Sequence, residues 1–140
     1  MSIRKQQFYE GAALHLLACG GSIKSIRYAA PFFVVNGDVL VHLKYSAKSR
    51  SPWAFTFTRD EQSLLGKAAT GARLVIGLIC GADGVAALTY ERYRSVAAHR
   101  KGAVHIACYR KHRQHYEVSG PDGCLIGKVA PANWRRILEN

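Results

Sequence analysis

The chain has 140 residues, 49% of them hydrophobic, and carries 20 Lys and Arg against 9 Asp and Glu, a net charge of +11 at pH 7. That length fits one compact domain with a buried core. No apolar run approaches the roughly 18 to 20 residues a membrane helix needs, and Glu10 interrupts any signal-peptide reading of MSIRKQQFYEG, so a soluble, cytoplasmic protein with no membrane association is expected.

The elements follow in chain order. Ile3, Phe8, Ala12, Leu14, Leu16 and Leu17 predict a helix from Ile3 to Ala18, closed by Gly20 and Gly21. SIKSIRY predicts a first strand. PFFVVNGDVLVHLKYS predicts two more, joined at Asn36-Gly37, a strong hairpin signal. WAFTFT alternates and makes a fourth. Thr58 and Glu61 stand three apart as a capping box requires, which starts a helix in RDEQSLLGKAAT.

RLVIGLIC is a nearly continuous apolar run, the pattern of a strand buried on both faces. A turn at Gly81 to Gly84, a short strand VAALT and a helix YERYRSVAAHR come next. The last third reads as strands AVHIACYR, HYEVSG and CLIGKV, with a turn at Pro121-Asp122-Gly123, and a final helix in PANWRRILEN. The order α-β-β-β-β-α-β-β-α-β-β-β-α predicts one α+β or α/β domain over residues 1–140, with a central mixed sheet flanked by helices and hairpins toward the C-terminus.

Cys19, Cys80, Cys108 and Cys124 fall at wide, unrelated spacings and are expected to be reduced and mostly buried. His105, Cys108, His112 and His115 invite a zinc reading. The odd spacing of His105 and Cys108 sends them to opposite faces of a strand, so no metal is assigned there.

A charge excess of this size adds self-repulsion to the folded state and points to an anionic partner: nucleic acid first, an acidic protein or lipid surface second. The plain alternative is a solvated basic surface that aids solubility. Two clusters stand out. In KYSAKSRSPW, Lys44, Lys48 and Arg50 lie along a serine-rich loop beside Trp53, which offers either a stacking face or a first core residue. In YRKHRQHY, Arg110, Lys111 and Arg113 occupy a hairpin turn without an acid. Arg92, Arg94, Arg100 and Lys101 add to the field, whereas Arg135 and Arg136 decorate the last helix.

Strand alternation puts His42 and Lys44 on one face, so Lys44 lies either at a solvated strand end or in a polar site. A helix bearing Glu10, a hairpin, and a strand ending in Lys44 together resemble the core of the PD-(D/E)XK nuclease superfamily, which includes restriction endonucleases and Holliday-junction resolvases. The resemblance covers about residues 5 to 80 and implies a restriction-endonuclease-like α-β-β-β-α-β core. It also implies a divalent metal held by a helix glutamate, the aspartate of a proline-aspartate pair and an acid two before the lysine.

Here Glu10, Pro31 and Lys44 match, but Phe32 stands in place of the aspartate and, after nine intervening residues, His42 in place of the acid. Phenylalanine offers no ligand, and imidazole suits softer metals than magnesium. The resulting expectation is a nucleic-acid-binding protein on a catalytically silent scaffold, with no cofactor, contacting its partner through Lys44, Lys48, Arg50, Trp53, Arg110, Lys111 and Arg113. The enzyme alternative relocates the site to Glu10, Asp38, His42 and Lys44, with magnesium or manganese held by Glu10 and Asp38 in DNA or RNA hydrolysis. Against it, Asp38 follows Asn36-Gly37 directly, where aspartate serves ordinary turns. A third alternative is a protein-interaction factor of a mobile element or host-defence system; edge-strand pairing into a homodimer is also open.

Overall fold

The computed structural model describes residues 3–18, 23–29 and 31–138; the side chains of 3–6, 8 and 16–18 are not described. The closure at Gly20 and Gly21 and the state of Cys19 lie outside these residues. The described elements are α1 (Ile3–Ala18), β1 (Ile26–Ala29), β2 (Phe32–Val35), β3 (Val39–Ser46), β4 (Trp53–Phe57), α2 (Arg59–Gly71) and β5 (Arg73–Cys80). They continue with β6 (Gly84–Thr89), α3 (Tyr90–Val96), β7 (Val104–Tyr109), β8 (Glu117–Gly120), β9 (Gly123–Cys124) and α4 (Asn133–Arg136). This is the order the periodicities predict.

The expected single central sheet is corrected to two. A five-stranded mixed sheet runs β1-β2-β3-β5-β6, and a four-stranded antiparallel sheet runs β4-β7-β8-β9. The reason is edge availability. β3 is flanked by antiparallel β2 and parallel β5, so β4 finds no free edge beside it and pairs instead with β7. The domain is α+β: α1 and α4 cover one face of the first sheet, and the second sheet packs on its other face together with α2 and α3.

β5 is central to both cores. Leu74, Ile76, Leu78 and Cys80 face the second sheet and pack with Phe55, Phe57, Ile106 and Tyr93. Val75 and Ile79 face the other way, joining Val41, Leu43, Ala13 of α1 and Trp134 of α4. Burial on both faces explains why its sequence is an apolar run, each fully buried aliphatic contributing about 1.5–3 kcal/mol. The β2–β3 hairpin turns through Asn36, Gly37 and Asp38, with Asn36 (φ 53) and Gly37 (φ 77) as the left-handed pair and the Asp38 N–H closing onto the Val35 carbonyl (3.3 Å).

Two elements end earlier than their sequences predict. α3 stops at Val96 because Asp122 intercepts the chain: its carboxylate accepts the Ala98 N–H (2.7 Å) and pairs with Arg100, while its own N–H donates to the Val96 carbonyl (3.0 Å). β9 is only two residues long because the Arg92 guanidinium takes the carbonyls of Ile126 (3.1 Å) and Gly127 (3.5 Å). Ile126 is left 94% exposed. Cys80 and Cys108 are free and buried with sulfurs 3.8 Å apart; Cys124 is free and exposed.

Candidate nucleic-acid interface

Lys44 is held in a polar site, only partly exposed. β3 presents Val41 and Leu43 to the α1 layer and turns His42 and Lys44 to the opposite side. The register Phe33↔Val41 sets Phe32 across from His42, and their rings meet edge-on at 5.8 Å. The acid that completes this face comes from α2. Thr58 accepts the Glu61 N–H and Glu61 accepts the Thr58 N–H, each at 3.1 Å, a capping box that folds the glutamate back over the helix start.

From there the Glu61 carboxylate accepts two bonds from Lys44 Nζ (3.0 and 2.9 Å) and lies 3.0 Å from His42 Nε2. His42 Nδ1 lies 3.1 Å from the Pro31 carbonyl, and the Lys44 ammonium rests 5.1 Å from the centre of the Phe57 ring. His42, Lys44 and Glu61 line one side of a groove of about 370 Å³, with Ala54, Phe55 and Thr56 of edge strand β4 opposite.

Partial burial by itself would raise the Glu61 carboxyl. The bonds from His42 and Lys44, the Lys44 charge and the Thr58 N–H outweigh it and lower the group from 4.5 to about 2. Because the folded value is depressed, the stabilisation is complete above about pH 4.5 and is lost as pH falls toward 2. Solvent screening of a half-buried pair leaves it about 1–2 kcal/mol. Acid titration of stability in Glu61→Gln should therefore run flatter than wild type between pH 4.5 and 2; parallel curves would refute the linkage.

The residues of the relocated metal site are not brought together. α1, which carries Glu10, covers the face of β3 opposite His42 and Lys44: Tyr9 stacks on Tyr45 at 5.9 Å, and Ala13 joins Val41 and Leu43. Asp38 is exposed in the hairpin turn, not in the strand, so its expected alternation with His42 does not apply. It is six residues from Lys44, about 20 Å along an extended chain. The acid beside Lys44 is Glu61, which sequence reading took only as a helix-start signal. Among the described residues no group of three or more His, Cys, Asp or Glu is placed to hold a metal ion.

The two basic clusters, in contrast, become one surface. The register Trp53↔Cys108 sets Ser51 beside Arg110, and Ser51 Oγ donates to the Arg110 carbonyl at 3.2 Å. Lys48, Arg50, Lys111 and Arg113 are exposed around this junction. Among the described residues none of the four forms an ion pair; Lys48 Nζ donates to the Pro52 carbonyl (3.2 Å), which leaves its charge unneutralised.

Trp53 is 2% exposed, its Nε1 donates to the Lys48 carbonyl (2.8 Å), and it meets Tyr116 edge-on; it anchors the loop from the core and offers no stacking face. Arg110 is held by Asp83 at 2.8 Å. The other cations expected to add to the field are partly occupied: Arg92 on carbonyls, Arg94 on the Tyr90 hydroxyl (2.8 Å), Arg100 on Asp122. His105 is exposed and bonded to Thr56 Oγ1 (3.0 Å), while Cys108 points into the core, the opposite faces that their spacing implies.

No protein-family model, curated protein or solved structure matches the chain.

Proposed function

We propose that the chain binds nucleic acid through the joined basic surface, on a nuclease-like scaffold that does not cleave. The observation that carries this reading is the junction of the 46–53 loop with the β7–β8 turn, which gathers Lys48, Arg50, Lys111 and Arg113 without neutralising them. Phosphate contacts need only such cations and polar groups, held in place beforehand.

Two further features support the scaffold reading. With β4 diverted to the second sheet, the first sheet keeps the order helix, three strands, helix, strand, as in the resembled core. Phe32 and His42 also face each other beside Lys44, at the positions where that core carries its acids. The one carboxylate on this face, Glu61, already serves Lys44, His42 and its own helix cap. Among the described residues no group of three or more His, Cys, Asp or Glu gathers around it to hold a metal ion, which supports binding without hydrolysis.

The test is equilibrium binding to labelled oligonucleotides across a salt series. Four phosphate contacts give a log–log slope of about −3.6 on duplex. An affinity that is absent, or flat against salt, overturns the binding reading. Magnesium- or manganese-dependent cleavage that is lost in Lys44→Ala would overturn the silent scaffold and restore the enzyme alternative.

A further inference from the structure

An acid stands at the centre of the basic surface, on the turn between β5 and β6. Asp83 Oδ2 accepts from Arg110 Nη1 (2.8 Å) and from the hydroxyl of the fully buried Tyr116 (2.7 Å). Arg110 in turn lies over the Tyr116 ring at 5.2 Å and donates through Nε to the Gln114 carbonyl (2.7 Å). The Gln114 N–H closes onto the Lys111 carbonyl at 2.9 Å. Asp83 thus fixes one arginine, and that arginine spans the β7–β8 turn.

The turn so fixed is not a relaxed one. Arg113 has φ 60, a left-handed conformation that non-glycine residues adopt only when their surroundings hold them there. It is exposed, like Lys111 and His112 beside it. These residues, with Asp83 and Arg110, bound a cleft of about 240 Å³. The same short turn also braces the other basic loop. The Gly81 N–H donates to the Ser46 carbonyl at 2.8 Å, and at φ 54 a Cβ there would run into the Lys48 carbonyl. One three-residue turn, Gly81 to Asp83, therefore sets the placement of both cation-bearing loops.

We propose that this cleft seats a backbone phosphate of the bound nucleic acid, contacted by Lys111, His112 and Arg113, with Asp83 as the positioning residue that holds them in place. The inference rests on the nucleic-acid reading above and adds a specific consequence. By charge alone, removing Asp83 should tighten binding, because one negative charge fewer takes the net charge from +11 to +12. By geometry it should weaken binding, because the tip loses its anchor.

Asp83→Asn separates the two. Anisotropy titrations of a labelled duplex at low temperature, with circular dichroism confirming the fold, should show about five- to tenfold weaker binding and a salt slope shallower by about 1 to 2. Lys111→Ala with Arg113→Ala, which removes both contacts outright, should weaken binding about ten- to thirtyfold, and adding Asp83→Asn to that pair should cost little more. Tyr116→Phe, which removes only the hydroxyl that shares Asp83, gives a milder variant should Asp83→Asn not fold. It is expected to weaken binding about two- to threefold through loss of one such bond. Binding by a folded variant as tight as wild type, or tighter, overturns the positioning role while leaving nucleic-acid binding intact. Wild-type protein that binds no nucleic acid overturns the reading beneath it.

Discussion

Replacing Lys48, Arg50, Lys111 and Arg113 together by alanine should lower affinity for nucleic acid by roughly two to three orders of magnitude at 0.1 M salt. Each cation that neutralises a phosphate releases close to one counterion from duplex, so each lost contact costs somewhat under a decade at that concentration. All four residues are exposed and, among the described residues, unpaired with any acid, so the fold should barely register their loss. The melting temperature is expected to stay within a few degrees of wild type, or to rise as self-repulsion falls. Electrophoretic or anisotropy titration checks the affinity and calorimetry the stability. Retained affinity would move the interface elsewhere on the molecule, with Lys101 and Lys128 the next cations to neutralise.

The largest effect on stability is expected at Glu61. Glu61→Ala leaves Lys44 and His42 facing each other without their shared acceptor, and it removes one half of the α2 capping box. Breaking a fully buried ion pair costs about 3–5 kcal/mol. With Lys44 and Glu61 each still 21% exposed, and about 0.5–1 kcal/mol added for the cap, about 2–4 kcal/mol is expected. For a chain of this size that corresponds to a melting temperature lower by about 10 °C. A fall of under 2 °C in thermal denaturation would mean that solvent already satisfies both cations. Glu61→Gln should fall between, since the amide still accepts from Thr58 and from one cation. Below its melting temperature Glu61→Ala should bind nucleic acid no more weakly than wild type, because it exposes the Lys44 charge to the groove; weaker binding would assign the groove a shaped recognition role.

Most of the local organisation was legible before the structure. Asn36-Gly37 announced a hairpin because few residues tolerate the left-handed pair at its turn, and the structure places φ 53 and 77 there. Thr58 and Glu61 announced a helix start through a bond pattern that closes over three residues. RLVIGLIC announced a strand covered on both faces, since any polar side chain in it would face a core.

Where prediction failed, the deciding contact was distant. α3 ends at Val96 because Asp122 bonds Ala98 from 24 residues away, although the helical pattern runs on through AAHR. Trp53 read first as the opening core residue of its strand and second as a stacking face. The β4–β7 pairing settled it, by carrying its ring inward against Tyr116. Asp38 was a candidate ligand only if strand alternation reached back into the turn, which the turn geometry does not allow.

Sequence by itself determined the ordered set of helices and strands, the hairpin, the cap and the twice-covered strand. Each rests on periodicity, turn stereochemistry or capping, forces that act within a few residues. Tertiary structure alone decided that the strands form two sheets, because β3 has only two edges and β2 and β5 occupy both. It likewise decided that Glu61 meets Lys44 from 17 residues away, that Asp83 holds Arg110 from 27, and that Ser51 joins Arg110 from 59. Those partners are chosen by which strand edges remain free and which side chains the packed layers bring within bonding distance, and no local pattern encodes either.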